Sequence, residues 1–260
     1  MGEKPYAVIV GGASGIGAAI THTMADHGYA VVVGDRNIAA ANTLVDQLGG
    51  RHTAVGLDVS DEAGVATLFE SMARRPGRFE IAVNCAGINA LGLVTELPVA
   101  KFRRVVDVCL TGAYLVIQHA ARHIADNGAI ISLSSLNARQ PGIGMGAYCA
   151  AKAGLSMLTE VAALELAPRV RVNAVAPGLV RTPLTAAALD VPGVEGEYVE
   201  NIPLGRPGTP TEVAEAVMYL ARAQWITGEV LDLNGGANMM RYPNVHAHFS
   251  RAGLPHGSPT

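Results

Sequence analysis

The opening seventeen residues constrain the fold more than any other stretch. Tyr6–Val10 is a short apolar run, Gly11, Gly15 and Gly17 follow in GGASGIG, and an Ala-rich helical pattern begins at residue 18 and runs to residue 27. A strand that passes through a glycine turn straight into a helix is the first half of a right-handed crossover to a parallel strand. The alternation recurs along the chain. Apolar runs at 30–34, 53–56, 81–84, 129–133, 170–174 and 230–233 read as strands, and helical patterns fill 38–48, 62–74, 101–125, 147–166 and 211–221. This predicts an α/β fold: a single doubly wound domain over residues 1–236, with a mostly parallel sheet covered by helices on both faces. Two segments break the rhythm. Residues 183–207 mix Gly and Pro with apolar and acidic residues at a length beyond an ordinary connection, which predicts a lid or substrate loop. The tail, 237–260, carries His246, His248 and His256 and reads equally as a flexible end or a docking arm.

Composition narrows the class of partner. A 260-residue chain with net charge -3 and a sequence pI near 6.2 has neither a nucleic-acid footprint nor a polybasic membrane surface. A small-molecule partner is expected. Cys85, Cys109 and Cys149 are odd in number and form no CxxC pair, so a reducing, cytoplasmic setting fits better than a disulfide framework or a zinc site. No apolar run has the length of a signal segment or a bilayer span, so a soluble protein is expected.

Chemistry gathers between residues 135 and 152, in SLNARQPGIGMGAYCAAK. Tyr148 and Lys152 lie four apart in an Ala-rich helical context and should share a face. An ammonium about 4 Å from a phenolate, at an effective dielectric near 20, is worth roughly 4 kcal/mol, or about three pKa units. That would bring a phenol near working pH, although an inward-packed Tyr beside a solvated Lys has the same spacing. Upstream, the strand at 129–133 ends in Ser134 and Ser135, leaving a hydroxyl at a strand's carboxyl end, where open α/β sheets bind ligands. The turn Gly11-xxx-Gly15-x-Gly17 suits close approach of backbone to a pyrophosphate at a helix N-terminus, with Ser14 as a hydroxyl donor; a plain tight turn is the alternative. Asp35, closing the second strand, stands where an acid meets ribose hydroxyls, or is simply a turn aspartate.

Taken together, Gly11-xxx-Gly15-Ile16-Gly17, Asp58 in LDVSD, Asn84-Cys85-Ala86-Gly87, Ser135, Tyr148-xxx-Lys152, Asn173 in RVNAVAPG, Pro177-Gly178 and Ile226-Thr-Gly228 resemble the short-chain dehydrogenases/reductases. The resemblance spans about 6–236 and implies a Rossmann-type domain that exchanges hydride between a nicotinamide cofactor and an alcohol or ketone. It implies that Ser135 bonds the substrate oxygen, Tyr148 exchanges its proton, and Lys152 holds the nicotinamide ribose and lowers the tyrosine pKa. Gly11, Ser14, Gly15, Ile16 and Gly17 match the pyrophosphate turn, Asp58 and Val59 the adenine pocket, and Asn84, Ala86 and Gly87 the wall beside the cofactor. Pro177, Gly178, Val180 and Thr182 match the segment facing the nicotinamide. Asp35 selects NAD over NADP by charge, with Arg36 beside it as the complication.

A homotetramer is implied as well, with the tail from Ala237 crossing to a neighbouring active site. Two positions depart from the family. Val10 stands where a Thr hydroxyl usually ties the turn to the NCAG segment, and Cys109 in CLTG stands where an Asn usually supports a water relay to the lysine. Cys109 motivates a rival reading, a nucleotide-binding regulator or structural relative that has lost turnover. Asn89, Leu91, Asn137, Arg139, Gln140, Met145 and Tyr198 are the expected substrate contacts. His119 and His123 share a helical face but lack a placed carboxylate, so an ordinary helix surface is expected there and no metal. Cys149 reads as a small packed residue.

Overall fold

In the computed structural model, which describes residues 4–253, seven strands form one sheet. They are β1 (Tyr6–Val10), β2 (Ala30–Asp35), β3 (Thr53–Gly56), β4 (Phe79–Asn84), β5 (Gly128–Leu133), β6 (Val170–Pro177) and β7 (Val230–Leu233). Their order is β3-β2-β1-β4-β5-β6-β7, with every pair parallel. Between them run α1 (Gly15–Asp26), α2 (Ile38–Leu48), α3 (Glu62–Met72), α4 (Val99–Val106), α5 (Gly112–His123) and α6 (Gly146–Leu166). Four more helices follow: α7 (Pro183–Leu189), α8 (Val194–Glu200), α9 (Pro210–Arg222) and α10 (Val245–Arg251).

Strand side chains alternate, so the continuous apolar runs feed two cores at once. Val8, Val32, Ala82 and Ile130 face the layer holding α3, α5 and α6, while Ile9, Val31, Val83 and Ile131 face α1 and α9. The strand order reverses between β1 and β4, and that switch point opens a crevice at the carboxyl ends of the strands. Among the described residues no helix is long and apolar enough to cross a membrane.

Three stretches differ from the sequence expectation. The helix expected over 101–125 is broken by a π-helical turn at Asp107–Thr111 that separates α4 from α5, and the fully buried Cys109 lies in that turn. The stretch 183–207, expected as a lid or substrate loop, contains two helices, α7 and α8, each seven residues long and too short to show a helical pattern in the sequence. The described part of the tail, up to residue 253, lies on its own chain: α10 packs through Val245 and Phe249 against Leu189, Val191 and Val194. His256 lies outside the described residues.

The glycine turn leaves no room for side chains. A Cβ on Gly17 would sit 2.0 Å from the Gly11 carbonyl oxygen, and one on Gly11, at φ +73°, would sit 2.7 Å from the Ala86 nitrogen. This contact also answers the loss of the Thr hydroxyl at Val10, because backbone ties the turn to β4: Cys85 N donates to Val10 O at 2.8 Å. Gly17→Ala is expected to destabilise the fold by about 2 kcal/mol or more through overpacking against backbone. A chemical-denaturation midpoint equal to that of the parent would contradict it.

Candidate active site

Two adjoining cavities open along the carboxyl ends of the strands. The first takes its floor from the glycine turn, with Gly11, Ser14, Gly15, Ile16 and Gly17 all lining it. Asp35, Arg36, Asp58 and Val59 form one end, and Ala86, Gly87 and Thr182 line it as well. Ser14 is the N-cap of α1, makes no side-chain cap bond, and leaves the first-turn amides without an acidic neighbour. Such an end attracts an anion. A Cβ on Gly87 would come within 3.7 Å of Lys152 Nζ and 3.9 Å of Cys109 Sγ, so the bare backbone keeps the cleft open beside the ammonium. The glycine floor and the helix N-terminus together fit a dinucleotide.

Not every expected cofactor residue borders this space. Asn84 is buried and its Oδ1 accepts from Ala86 N at 3.2 Å, which shapes the wall rather than lining it. Val180 is turned into the core and pairs with Gly208. Asp35 lines the cleft while its carboxylate accepts from Ala13 N at 3.0 Å and Asn37 N at 2.9 Å, so it also braces the turn. Asp58 is held by the Ser60 hydroxyl at 2.6 Å and by Arg104 at 3.0 Å. The Ser60 bond outweighs the desolvation that opposes it and, with Arg104, brings the Asp58 carboxyl down to about 2. Arg104 lines the cleft too and was missed in the sequence, since nothing local ties it to an aspartate 46 residues earlier.

The second cavity holds Ser135, Tyr148, Pro177 and Gly178 on its wall, and Leu184 of α7 borders both spaces. Asn89, Leu91, Asn137, Met145 and Tyr198 line it as expected, but Arg139 and Gln140 do not. Arg139 pairs with Asp232 at 2.9 Å, and Gln140 donates to the carbonyls of Ala237 and Met240. The tail supplies Tyr242, Val245 and Phe249 to the same wall. So the tail closes the pocket of its own chain. No local pattern signals this, because the pairing is long-range and its helix is only seven residues long.

Ser135 Oγ accepts from Asn137 N at 3.1 Å, which leaves its hydroxyl hydrogen for an oxygen in the pocket or for Tyr148. Lys152 is 3% exposed and donates to the Leu133 carbonyl at 2.6 Å, with its Nζ 5.5 Å from the Tyr148 ring centroid. Two of its three donors remain. The expectation of a lowered tyrosine pKa is corrected by this geometry: burial first, then the neighbouring Cys109, push the Tyr148 phenol above its ordinary value, and the Ser135 hydrogen bond only partly opposes them. Burial likewise pulls the Lys152 ammonium down, against Cys109 and Cys85, and pushes the Cys85 thiol up to about 12, far from a reactive thiolate.

Cys109 fills its position better than its chemistry suggests. Its Sγ accepts from Ile88 N at 3.4 Å and donates to Ile88 O at 3.2 Å, pinning the π-helical turn to the wall of the cleft. Cys109→Ala removes both bonds and is expected to cost about 1–3 kcal/mol of stability, read from a denaturation midpoint. Cys109→Asn, whose amide offers the same donor and acceptor, is expected to turn over as fast or faster. A well-folded Asn variant with a large loss of activity would give the thiol a role of its own. His119 is buried on α5, contrary to the surface expected, and among the described residues no group of three or more His, Cys, Asp or Glu could hold a metal ion.

Comparison with known proteins agrees with this geometry. Residues 11–238 match the family model described as enoyl-(acyl carrier protein) reductase. The chain is 41% identical over 249 residues to cis-4-hydroxycyclohexanecarboxylate dehydrogenase of Sinomonas cyclohexanicum, covering 91% of this chain and 98% of that one. Among solved structures, a short-chain type dehydrogenase/reductase from Mycobacterium ulcerans superposes with a TM-score of 0.91 at 30% identity, covering 96% of this chain and 95% of that one. ElxO with NADP bound superposes with a TM-score of 0.84 at 27% identity, covering 92% of this chain and 100% of that one. The chain belongs to the short-chain dehydrogenase/reductase family and is an oxidoreductase of that type.

Proposed function

We propose that the protein interconverts a secondary alcohol and its ketone with NAD(H), through Ser135, Tyr148 and Lys152. The observation that carries this is the position of Ser135 and Tyr148 on the wall of a largely apolar pocket adjoining a cleft floored by the glycine turn. A bound nicotinamide supplies a carbon that accepts or donates two electrons as hydride. Ser135, its oxygen already accepting from Asn137, donates its hydrogen to the substrate oxygen. Tyr148 gives its phenolic proton to that oxygen in ketone reduction and takes it back in alcohol oxidation. Lys152, anchored on Leu133, keeps two donors for the ribose and for the phenolate formed at Tyr148. The leucines, Met145 and Phe249 exclude water from the exchange.

In this reading Gly11, Ser14, Gly15, Ile16 and Gly17 hold the pyrophosphate, Asp35 and Arg36 the adenosine ribose, and Asp58 and Val59 the adenine. Asn84, Ala86, Gly87, Pro177, Gly178, Val180 and Thr182 shape the nicotinamide end. Residues 1–236 carry cofactor and catalysis, and the tail completes the substrate pocket. The protein acts in the cytoplasm as a homotetramer, whose contacts use the exposed apolar side chains Phe102, Tyr114, Met157, Val161 and Leu164. Mixing the protein with NAD and a panel of secondary alcohols tests the reading. Growth of reduced-nicotinamide absorbance is expected, and tight cofactor binding with no turnover across the panel and the matching ketones would refute it.

A further inference from the structure

The substrate pocket has a donor and acceptor pattern that can be worked out atom by atom. Its lining contains no Asp, Glu, Lys or Arg among the described residues. The nearby arginines are engaged elsewhere, Arg139 with Asp232 and Arg181 with Glu195. A carboxylate or phosphate drawn into this space would lose its hydration and find no cation, a cost of several kcal/mol. The pocket is therefore made for an uncharged molecule.

Polarity within it is concentrated in one chain of hydrogen bonds. Asn137 Nδ2 donates to the Gln140 carbonyl at 3.1 Å, and a carbonyl can only accept, so the amide orientation is fixed. Asn137 Oδ1 must then accept, and Tyr242 Oη lies 3.0 Å from it. The Tyr242 hydroxyl has only one hydrogen, and it goes to Asn137 Oδ1 or to Met145 Sδ at 3.4 Å, both of which can only accept. Tyr198 Oη lies 2.9 Å from Tyr242 Oη, so the hydrogen between them belongs to Tyr198. At the end of the chain the Tyr198 oxygen offers lone pairs and no hydrogen. Its ring is held edge to face against Tyr242, with centroids 5.7 Å apart at 86°, so the oxygen cannot swing away without breaking that contact. Burial first, then Tyr242, push the Tyr198 phenol well above its ordinary pKa, so it stays a neutral acceptor at working pH. The relay also meets the reaction centre, because Asn137 is the residue whose N–H holds Ser135 Oγ.

Resting on the alcohol–ketone reading, we propose that the substrate is a small uncharged molecule with a second hydroxyl, a hydroxy ketone or its diol, and that this hydroxyl donates to Tyr198 Oη. Tyr198 is then a specificity-determining residue, with Tyr242 and Asn137 as positioning residues that orient its lone pairs. The relative that acts on a hydroxycyclohexanecarboxylate carries a charged group on its substrate. The lining of this pocket offers such a group no cation.

The test compares kcat/KM for four ketones with reduced NAD: 2-hydroxycyclohexanone, 2-methoxycyclohexanone, cyclohexanone and 4-oxocyclohexanecarboxylate. The hydroxy ketone is expected to lead the methoxy and unsubstituted ketones by about tenfold or more, since an oxygen that only accepts meets a donor in one case and not in the others. The carboxylate is expected to be the poorest. Tyr198→Phe should bring the hydroxy-to-unsubstituted kcat/KM ratio close to one, the ratio being the quantity read. Tyr242→Phe frees the Tyr198 hydrogen, so the methoxy ketone should gain relative to the hydroxy ketone. A merely structural role for the two tyrosines would move all neutral substrates together. Equal use of hydroxy and methoxy ketones by the parent, or a methoxy-to-hydroxy ratio unchanged in a folded Tyr242→Phe protein, would overturn the hydroxyl assignment. Carboxylate turnover equal to that of cyclohexanone would overturn the uncharged one. If cyclohexanone is reduced without discrimination, only this inference falls; if no ketone is reduced, the alcohol–ketone reading falls and takes the inference with it.

Discussion

Tyr148→Phe is expected to remove about 100- to 10,000-fold of turnover or more while leaving the fold and the cofactor Kd nearly unchanged. The substitution deletes one oxygen and keeps the ring that packs with Cys149, Met145 and Leu91 in the same apolar cluster. Calorimetric binding of NAD should therefore survive in a variant that no longer produces reduced cofactor. The pH dependence follows from the direction of the tyrosine shift. Burial raises the phenol pKa, so across the neutral range Tyr148 is in its acid form, ready to donate. Ketone reduction should be level through neutral pH. Alcohol oxidation needs the phenolate, whose fraction grows about tenfold per pH unit below the pKa, so oxidation should climb toward alkaline pH. An oxidation rate that falls from neutral to alkaline pH would count against Tyr148 as the base, and normal activity in the Phe variant would end its assignment. Lys152→Ala should both weaken cofactor binding and slow turnover, because the same ammonium serves two partners.

The parent is expected to prefer NAD over NADP by at least about tenfold in kcat/KM, and Asp35→Ser to narrow or reverse that preference. A 2′-phosphate beside the Asp35 carboxylate places like charges within a few ångströms, at roughly 4 kcal/mol per unit pair before screening. Removing the acid leaves Arg36, which lines the same end of the cleft, to pair with the phosphate. The structure adds a cost to the substitution: Asp35 accepts from Ala13 N and Asn37 N, so the Ser variant also loosens the glycine turn for both cofactors. The informative quantity is the ratio of the two kcat/KM values, not either one. Equal use of NAD and NADP by the parent would overturn the assignment of Asp35, and the NADP-bound relative makes that comparison necessary.

How far the sequence could be read depended on how local each cause was. The strand at 6–10, the glycine turn and the helix after it are set by residues within one crossover, so pattern alone located them. The same holds for Tyr148 and Lys152, because helical periodicity places them on α6 without reference to the rest of the chain. Charge balance and burial were not legible in that way. Lys152 was expected to act on Tyr148 through bare Coulomb attraction, but the ammonium reaches a backbone carbonyl on β5, and desolvation of the phenol outweighs it. The π-helical turn was hidden in part because the bond pair that ties it to the cleft wall, between Cys109 and Ile88, joins residues 21 apart. The tail was hidden for the same reason at longer range: Tyr242 finds Asn137 across 105 residues, and no periodicity in the tail announces that contact. Arg139 looked like a pocket residue by its place in the loop, and Asp232, at the far end of the chain, takes it.

The central claim is direct hydride exchange at a Ser135–Tyr148–Lys152 site. Reduced NAD carrying deuterium at the transferred position of the nicotinamide, incubated with the protein and a ketone that it turns over, tests this most directly through mass spectrometry of the product alcohol. One deuterium on the carbinol carbon is the expected result, with product formation falling in the Tyr148→Phe protein in step with its loss of turnover. Product alcohol formed by the intact protein without deuterium on that carbon would contradict the account.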